Sequence, residues 1–190
     1  MRITGGHAAR RILKVPKGLD VRPTPDLVKQ AVFNSLGLRA VGARVLELFA
    51  GSGALSLECL SRGAASALCI EKSHRHAGFI RGNADTAGFG QTLEIRTQDV
   101  FAALYQLTDS ARQFDLILAD PPYGEKNIGR RSTSFAQQLL DDANLPKLLA
   151  PGGRFVLGHA KRDMLDIVAP WREAKVLKHG DSIMRFLEIA

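Results

Sequence analysis

The chain has 190 residues, 45% of them apolar and 24% charged, with a formal net charge of +7. That length suits one well-buried domain. No stretch reaches the roughly 18 consecutive apolar residues of a membrane span, and residues 1–6 lack the apolar core of a secretory leader, so a cytoplasmic, non-membrane protein is expected.

The charge is uneven. Residues 1–44 carry nine Lys/Arg against two Asp/Glu, whereas residues 45–190 carry 17 of each. A basic first quarter on a neutral body points to a polyanionic partner, because each Lys or Arg set on a phosphate releases condensed counterions.

In chain order, Arg2-Ile3-Thr4-Gly5-Gly6 and Arg10-Arg11-Ile12-Leu13-Lys14-Val15-Pro16 alternate basic and apolar residues around a Gly-Gly. This predicts a short hairpin arm rather than disorder. In Arg22-Pro23-Thr24-Pro25-Asp26, Thr24 suits an N-cap, Pro25 the first helical residue and Asp26 the first turn. Leu27, Val28, Ala31, Val32 and Leu36 continue at helical spacing to Gly37. Strands are then predicted at 44–49, 67–71, 92–97, 114–119 and 152–159, with helices at 53–61, 73–86 and 100–107 between them. Two more strands, 173–178 and 183–189, join through His179-Gly180-Asp181. The alternation predicts an α/β protein with a seven-stranded, mostly parallel sheet, helices on both faces and an antiparallel edge. The chain divides into an arm, 1–22, and one domain, 23–190. Cys59 and Cys69 fall on a helix and a strand, where burial as free thiols is expected. No Cys or His spacing suits a metal.

The run Glu47-Leu48-Phe49-Ala50-Gly51-Ser52-Gly53-Ala54 follows the first strand and opens a helix. Gly51 and Gly53 permit a tight turn and close ligand approach. Glu71 ends the second strand, 20 residues after Gly51, where a carboxylate takes the ribose hydroxyls of an adenosine. A carboxylate at Glu47 opposes a pyrophosphate but suits a cation such as the ammonium of S-adenosyl-L-methionine (SAM). The run resembles the first motif of SAM-dependent methyltransferases. That resemblance implies a Rossmann-like class I fold, Glu47 at the methionine end, and a floor of Phe49, Ala50, Gly51 and Gly53. It also implies Asp99, with Val100 beside it, at the adenine. Asp99 equally suits the N-cap of the helix that follows.

Asp120-Pro121-Pro122-Tyr123 ends the fourth strand, at the sheet edge where ligands bind. Two prolines extend the backbone and remove two N–H donors, leaving acceptors beside a flat ring. An exocyclic amino group has its lone pair delocalised into its ring. Acceptors that hold its N–H bonds free that lone pair to face an electrophile, and Tyr123 supplies a stacking surface worth ~1–3 kcal/mol per base. The tetrapeptide resembles the signature of amino-group N-methyltransferases of DNA, RNA and protein glutamine.

Three segments together narrow the resemblance: residues 2–6, residues 22–34 and residues 48–55. In that order they are similar to the bacterial RsmD family, which methylates the N2 amino group of one guanine in 16S ribosomal RNA. The resemblance implies SAM as cofactor, S-adenosyl-L-homocysteine as product, no metal, and 16S RNA within or outside an assembling small subunit as partner, with a monomeric enzyme. It places Thr24 at the SAM pocket and Arg2, Arg10, Arg11, Lys14 and Arg22 on RNA. Arg130 and Arg131, after the catalytic loop, are further candidates for phosphate contact. The departures are Lys29-Gln30 where members more often carry Arg-Glu, Tyr123 where some carry Phe, and a loose fit at residues 178–182.

A DNA adenine or cytosine methyltransferase needs a region to read base edges, for which 190 residues leave little room. A protein-glutamine methyltransferase has no use for a basic arm. A nicotinamide oxidoreductase leaves the Pro-Pro loop unexplained, and a non-catalytic RNA-binding protein has no need of a complete pocket.

Overall fold

A computed structural model describes residues 1–16, 25–124 and 130–190. Thr24 and Arg22 lie outside the described residues. The first helix, α1 (Asp26–Leu36), begins one residue later than expected, with Pro25 in the cap position and no side-chain cap. The Asp26 carboxylate is taken instead by Arg2, whose Nε lies 3.2 Å away, and by Lys29 at 3.5 Å.

The body then alternates β1 (Arg44–Leu48), α2 (Ala54–Ser61), β2 (Ser66–Glu71), α3 (His74–Ala87), β3 (Leu93–Thr97), α4 (Val100–Asp109) and β4 (Phe114–Ala119). It continues through α5 (Phe135–Asp141), α6 (Leu145–Leu148), β5 (Leu149–Ala160), β6 (Trp171–His179) and β7 (Ser182–Ile189). The strands form a seven-stranded sheet in the order β3-β2-β1-β4-β5-β7-β6. Neighbours from β3 to β5 are parallel, and β7 is antiparallel to both β5 and β6. The antiparallel pair thus occupies the edge as expected, with β7 inserted between β5 and β6.

Side-chain alternation along the central strands builds a core on each face. Val45, Ala67, Cys69, Leu116 and Leu118 face α1, α2 and α3, while Leu46, Leu48, Leu68, Ile70 and Ile117 face α4, α5 and α6. Both cysteines are buried and free. β5 starts earlier than residue 152. Its pairing with β4 shifts register between Phe114↔Leu149 and Leu116↔Arg154, so residues 150–153 bulge out of a strand that Pro151-Gly152-Gly153 had made look like a turn. Helices α5 and α6 were not expected. Ser134, which caps α5 by accepting from the Gln137 amide at 3.2 Å, and the apolar spacing of Ala136, Leu139 and Leu140 are the signals for the first of them.

The first 16 residues do fold back on themselves. Arg2 and Ile12 form an antiparallel bridge, and Ile3 N donates to Arg11 O at 2.9 Å. Ile3, Ala8 and Leu13 join the same core as α1 and α2. Glu58 of α2, fully buried, accepts from Thr4 N (2.7 Å), Thr4 Oγ1 (2.8 Å) and Arg62 Nε (2.8 Å), and lies 3.6 Å from the buried Lys29 ammonium. Gly6 has φ +78°, and a Cβ there would stand 1.8 Å from the Ser61 carbonyl oxygen. The two glycines of the arm therefore serve its close docking on α2.

Candidate active site

Strand order reverses between β1 and β4, and a cavity of about 830 Å³ opens at their carboxyl ends. A crevice at that switch point is where open α/β sheets take ligands. Glu47, Phe49, Ala50, Gly51, Glu71, Asp99, Val100 and the whole of Asp120–Tyr123 line it. Gly53 does not line it. It starts α2 in a left-handed conformation (φ 71°), where a Cβ would meet Ile80 Cγ2 at 2.8 Å.

The three carboxylates Glu47, Glu71 and Asp99 are each anchored by backbone amides. Glu71 accepts from Gly51 N and Ser73 N, both at 2.8 Å, and so ties the glycine loop to the start of α3. A carboxylate has about four lone-pair positions, which leaves two for ligand hydroxyls. Asp99 caps α4 by accepting from Phe101 N at 3.0 Å and Ala102 N at 3.4 Å while still lining the cavity, so cap and wall coincide. Glu47 accepts from Ser56 N (2.8 Å) and Leu55 N (3.3 Å) at the start of α2. Burial pushes its carboxyl up to about 7, against the lowering effect of hydrogen bonds from Ser56, Leu55 and Cys69.

Phe49 is a non-glycine residue at φ 56°. A left-handed residue of that kind costs about 1–3 kcal/mol and persists only where the surroundings hold it, commonly at functional sites. Its ring centroid lies 5.3 Å from Phe135 and 6.5 Å from Phe101. Phe135, on the unexpected helix α5, thereby adds an aromatic wall that sequence reasoning missed.

At the other end, Pro121 is buried and Pro122 exposed, with Tyr123 between the cavity and the C-terminal hairpin. The Tyr123 hydroxyl hydrogen-bonds the Ser182 hydroxyl at 2.7 Å. Arg162 Nη2 donates to the Gly124 carbonyl at 3.4 Å, and both Arg162 and Asp181 line the mouth. Arg162 sits in a segment that carries no motif, and Asp181 and Ser182 lie in the 178–182 stretch whose fit to the family is loose, so the sequence assigned none of them a role.

Among the described residues, the basic side chains expected on nucleic acid do not line the cavity. Arg2 pairs with Asp26, and Arg11 Nη1 donates to the Thr86 carbonyl at 2.6 Å. Arg131 is shared between Asp141 (2.7 Å) and Asp166 (3.8 Å), and Arg130 is exposed. Arg10 and Lys14 are exposed and form no ion pair among the described residues. The Lys14 backbone is gripped by Asn83, which accepts from Lys14 N and donates to Lys14 O, both at 2.8 Å, and also reaches Ser52 O at 3.1 Å. Met1 lines the cavity itself.

A doubly wound sheet with three amide-anchored carboxylates and an Asp-Pro-Pro-Tyr loop lining one cavity defines a class I SAM-dependent methyltransferase. The family described as "Conserved hypothetical protein 95" matches residues 1–188, and the chain belongs to it, the RsmD family of methyltransferases. It is 34% identical over 128 residues to a putative rRNA methyltransferase, YlbH, of Bacillus subtilis, covering 67% of this chain and 70% of that protein. It is 36% identical over 123 residues to ribosomal RNA small subunit methyltransferase D of Escherichia coli, covering 65% of this chain and 60% of the relative's length. Among solved structures, the putative methyltransferase yhhF from Escherichia coli superposes with a TM-score of 0.80 at 29% identity, over 100% of this chain and 97% of that one.

Proposed function

We propose that the chain transfers a methyl group from SAM to the exocyclic N2 amino group of a guanine in 16S ribosomal RNA. The observation that carries this reading is a single cavity walled at one end by Glu47, Glu71 and Asp99 and at the other by Asp120–Tyr123. The residues fit SAM. Glu71 has lone pairs that would take two ribose hydroxyls, Asp99 and Val100, beside the Phe49–Phe101–Phe135 rings, would hold the adenine, and Glu47 would take the methionine ammonium. When bound, SAM supplies an electrophilic methyl group.

The chain's own residues do the rest. The Asp120 carboxylate and the loop carbonyls accept the two N–H bonds of the amino group, which turns its lone pair outward. Tyr123, held through Ser182, gives the base a fixed stacking surface. Asp120 also stabilises the positive charge that grows on nitrogen, so rate comes from in-line positioning and electrostatics. The methylated nitrogen is acidic and needs no strong base. The arm of residues 1–22, with Arg130 and Arg131, holds the RNA backbone.

The test supplies radiolabelled SAM with naked ribosomal RNA, assembled small subunits, duplex DNA and a glutamine peptide, and maps the modified position. Label on N2 of a 16S guanine is expected, in the naked RNA or in the particle. Label confined to DNA or peptide overturns the reading.

A further inference from the structure

Gly158 lies inside β5, two residues before its carboxyl end, at a position where glycine is otherwise a disadvantage. A glycine inside a strand costs backbone entropy and packs nothing, and it commonly marks a close approach by another group. Its backbone has no left-handed φ to explain the choice. The explanation lies above it. A Cβ on Gly158 would stand 2.4 Å from Asp120 Oδ1, 3.0 Å from Asp120 Cγ and 3.2 Å from Met184 Sδ. The register agrees, since Ala119 pairs with Leu157, one residue before each partner, and Gly158 pairs with Met184 of β7. Asp120 Oδ1 is buried there, and Met184 is buried beside it. The carboxylate therefore lies back over the bare backbone of β5, with the Met184 thioether as a side wall.

We propose that Gly158 is a positioning residue for methyl transfer: its missing side chain lets the Asp120 carboxylate recline onto β5, and this sets the direction from which Asp120 meets the substrate amino group. The inference rests on Asp120 being the acceptor described above. A methyl group at 158 occupies the seat of Oδ1, so the carboxylate, at the end of a short side chain, must shift off β5. The fold loses little, but the acceptor moves by about 1 Å, a misplacement that can cost on the order of 100-fold in rate. SAM, held by Glu47, Glu71 and Asp99, is untouched.

Gly158→Ala should lower kcat about 100-fold, with SAM affinity by calorimetry within about threefold and the melting temperature close to that of the parent. In an Asp120→Ala background the same substitution no longer meets a carboxylate, and the nearest remaining contact is Met184 Sδ at 3.2 Å, so it should leave the residual rate unchanged. Crystals of Gly158→Ala should show Asp120 turned away from β5. The inference is overturned by near-normal kcat, by an equal loss of residual rate in the Asp120→Ala background, or by Asp120 keeping its seat. Should the parent enzyme methylate none of the offered substrates, the proposed function fails, and the orientation of Asp120 in the variant crystals still decides the role of Gly158.

Discussion

The N-terminal arm and the Asp120–Tyr123 loop both stand out in the sequence, yet the structure uses them in opposite ways. The arm is marked by charge and by Thr4-Gly5-Gly6, and most of what marks it is spent on holding it down. Thr4 is bound by Glu58, Gly6 is flush against Ser61, Arg2 pairs with Asp26 and Arg11 caps a carbonyl of α3. The loop is marked by rigidity and by acceptors, and it presents them to a cavity. A cluster of charge says what a region is made of, not which atoms remain for a partner. A Pro-Pro turn behind a carboxylate limits its own geometry and so is closer to a statement of chemistry.

The two regions should separate by what breaks. Asp120→Ala should lower methyl transfer on the order of 100–1000-fold, as does removal of a preorganised group facing developing charge, with SAM affinity and melting temperature nearly unchanged. Loss of SAM binding along with turnover would show that this carboxylate belongs to the cofactor end. Gly6→Ala should do the reverse. Its Cβ meets backbone oxygen at 1.8 Å and its φ is +78°, so about 3 kcal/mol of stability should go, read as a lower urea midpoint. The surviving folded fraction should turn over normally. If Gly6→Ala left stability intact and abolished RNA binding, the arm's glycines would be recognition elements after all.

A milder contrast lies inside the cavity. Burial holds the Glu47 carboxyl at about 7 rather than its usual 4.5. Between those values the folded protein keeps a proton that the unfolded chain has lost. The stability from this group is therefore full below about 4.5 and is lost as pH rises through 7. A bound ammonium requires the ionised form, so SAM affinity should rise about tenfold from pH 6 to pH 8, the change in ionised fraction for a group titrating near 7. Calorimetry should show this profile in the parent and a flat one in Glu47→Gln. A flat profile in the parent would mean that Glu47 serves only the amides of α2.

The central strands were legible because burial on both faces forces unbroken apolar runs, and Phe114–Ala119 falls where expected. Glu71, Asp99 and Asp120 were legible as neighbours in one cavity because each ends a strand or starts a helix at one edge of the sheet. The bulge in β5 was hidden by Pro151-Gly152-Gly153, which reads as a turn when its partner strand is unknown. Phe135, Arg162 and Ser182 were hidden for a different reason. Phe135 and Arg162 reach the cavity, and Ser182 reaches the Tyr123 hydroxyl, only through tertiary placement, which a local cap or apolar spacing does not reveal.

Within the arm itself, single cations differ in what already holds them. Arg10 and Lys14 are exposed and form no ion pair among the described residues, whereas Arg2 and Arg11 already have protein partners. Only a cation with no intramolecular partner brings its full charge to a phosphate, and each one seated there steepens the fall of log K with log salt by about 0.7–0.9. Arg10→Ala and Lys14→Ala should therefore each flatten the salt dependence of RNA binding by nearly one unit and weaken affinity several-fold. Arg2→Ala should leave the slope unchanged and lower stability by less than about 1 kcal/mol, the range of an exposed pair. Equal slopes for all three variants and the parent would remove the arm from the RNA interface.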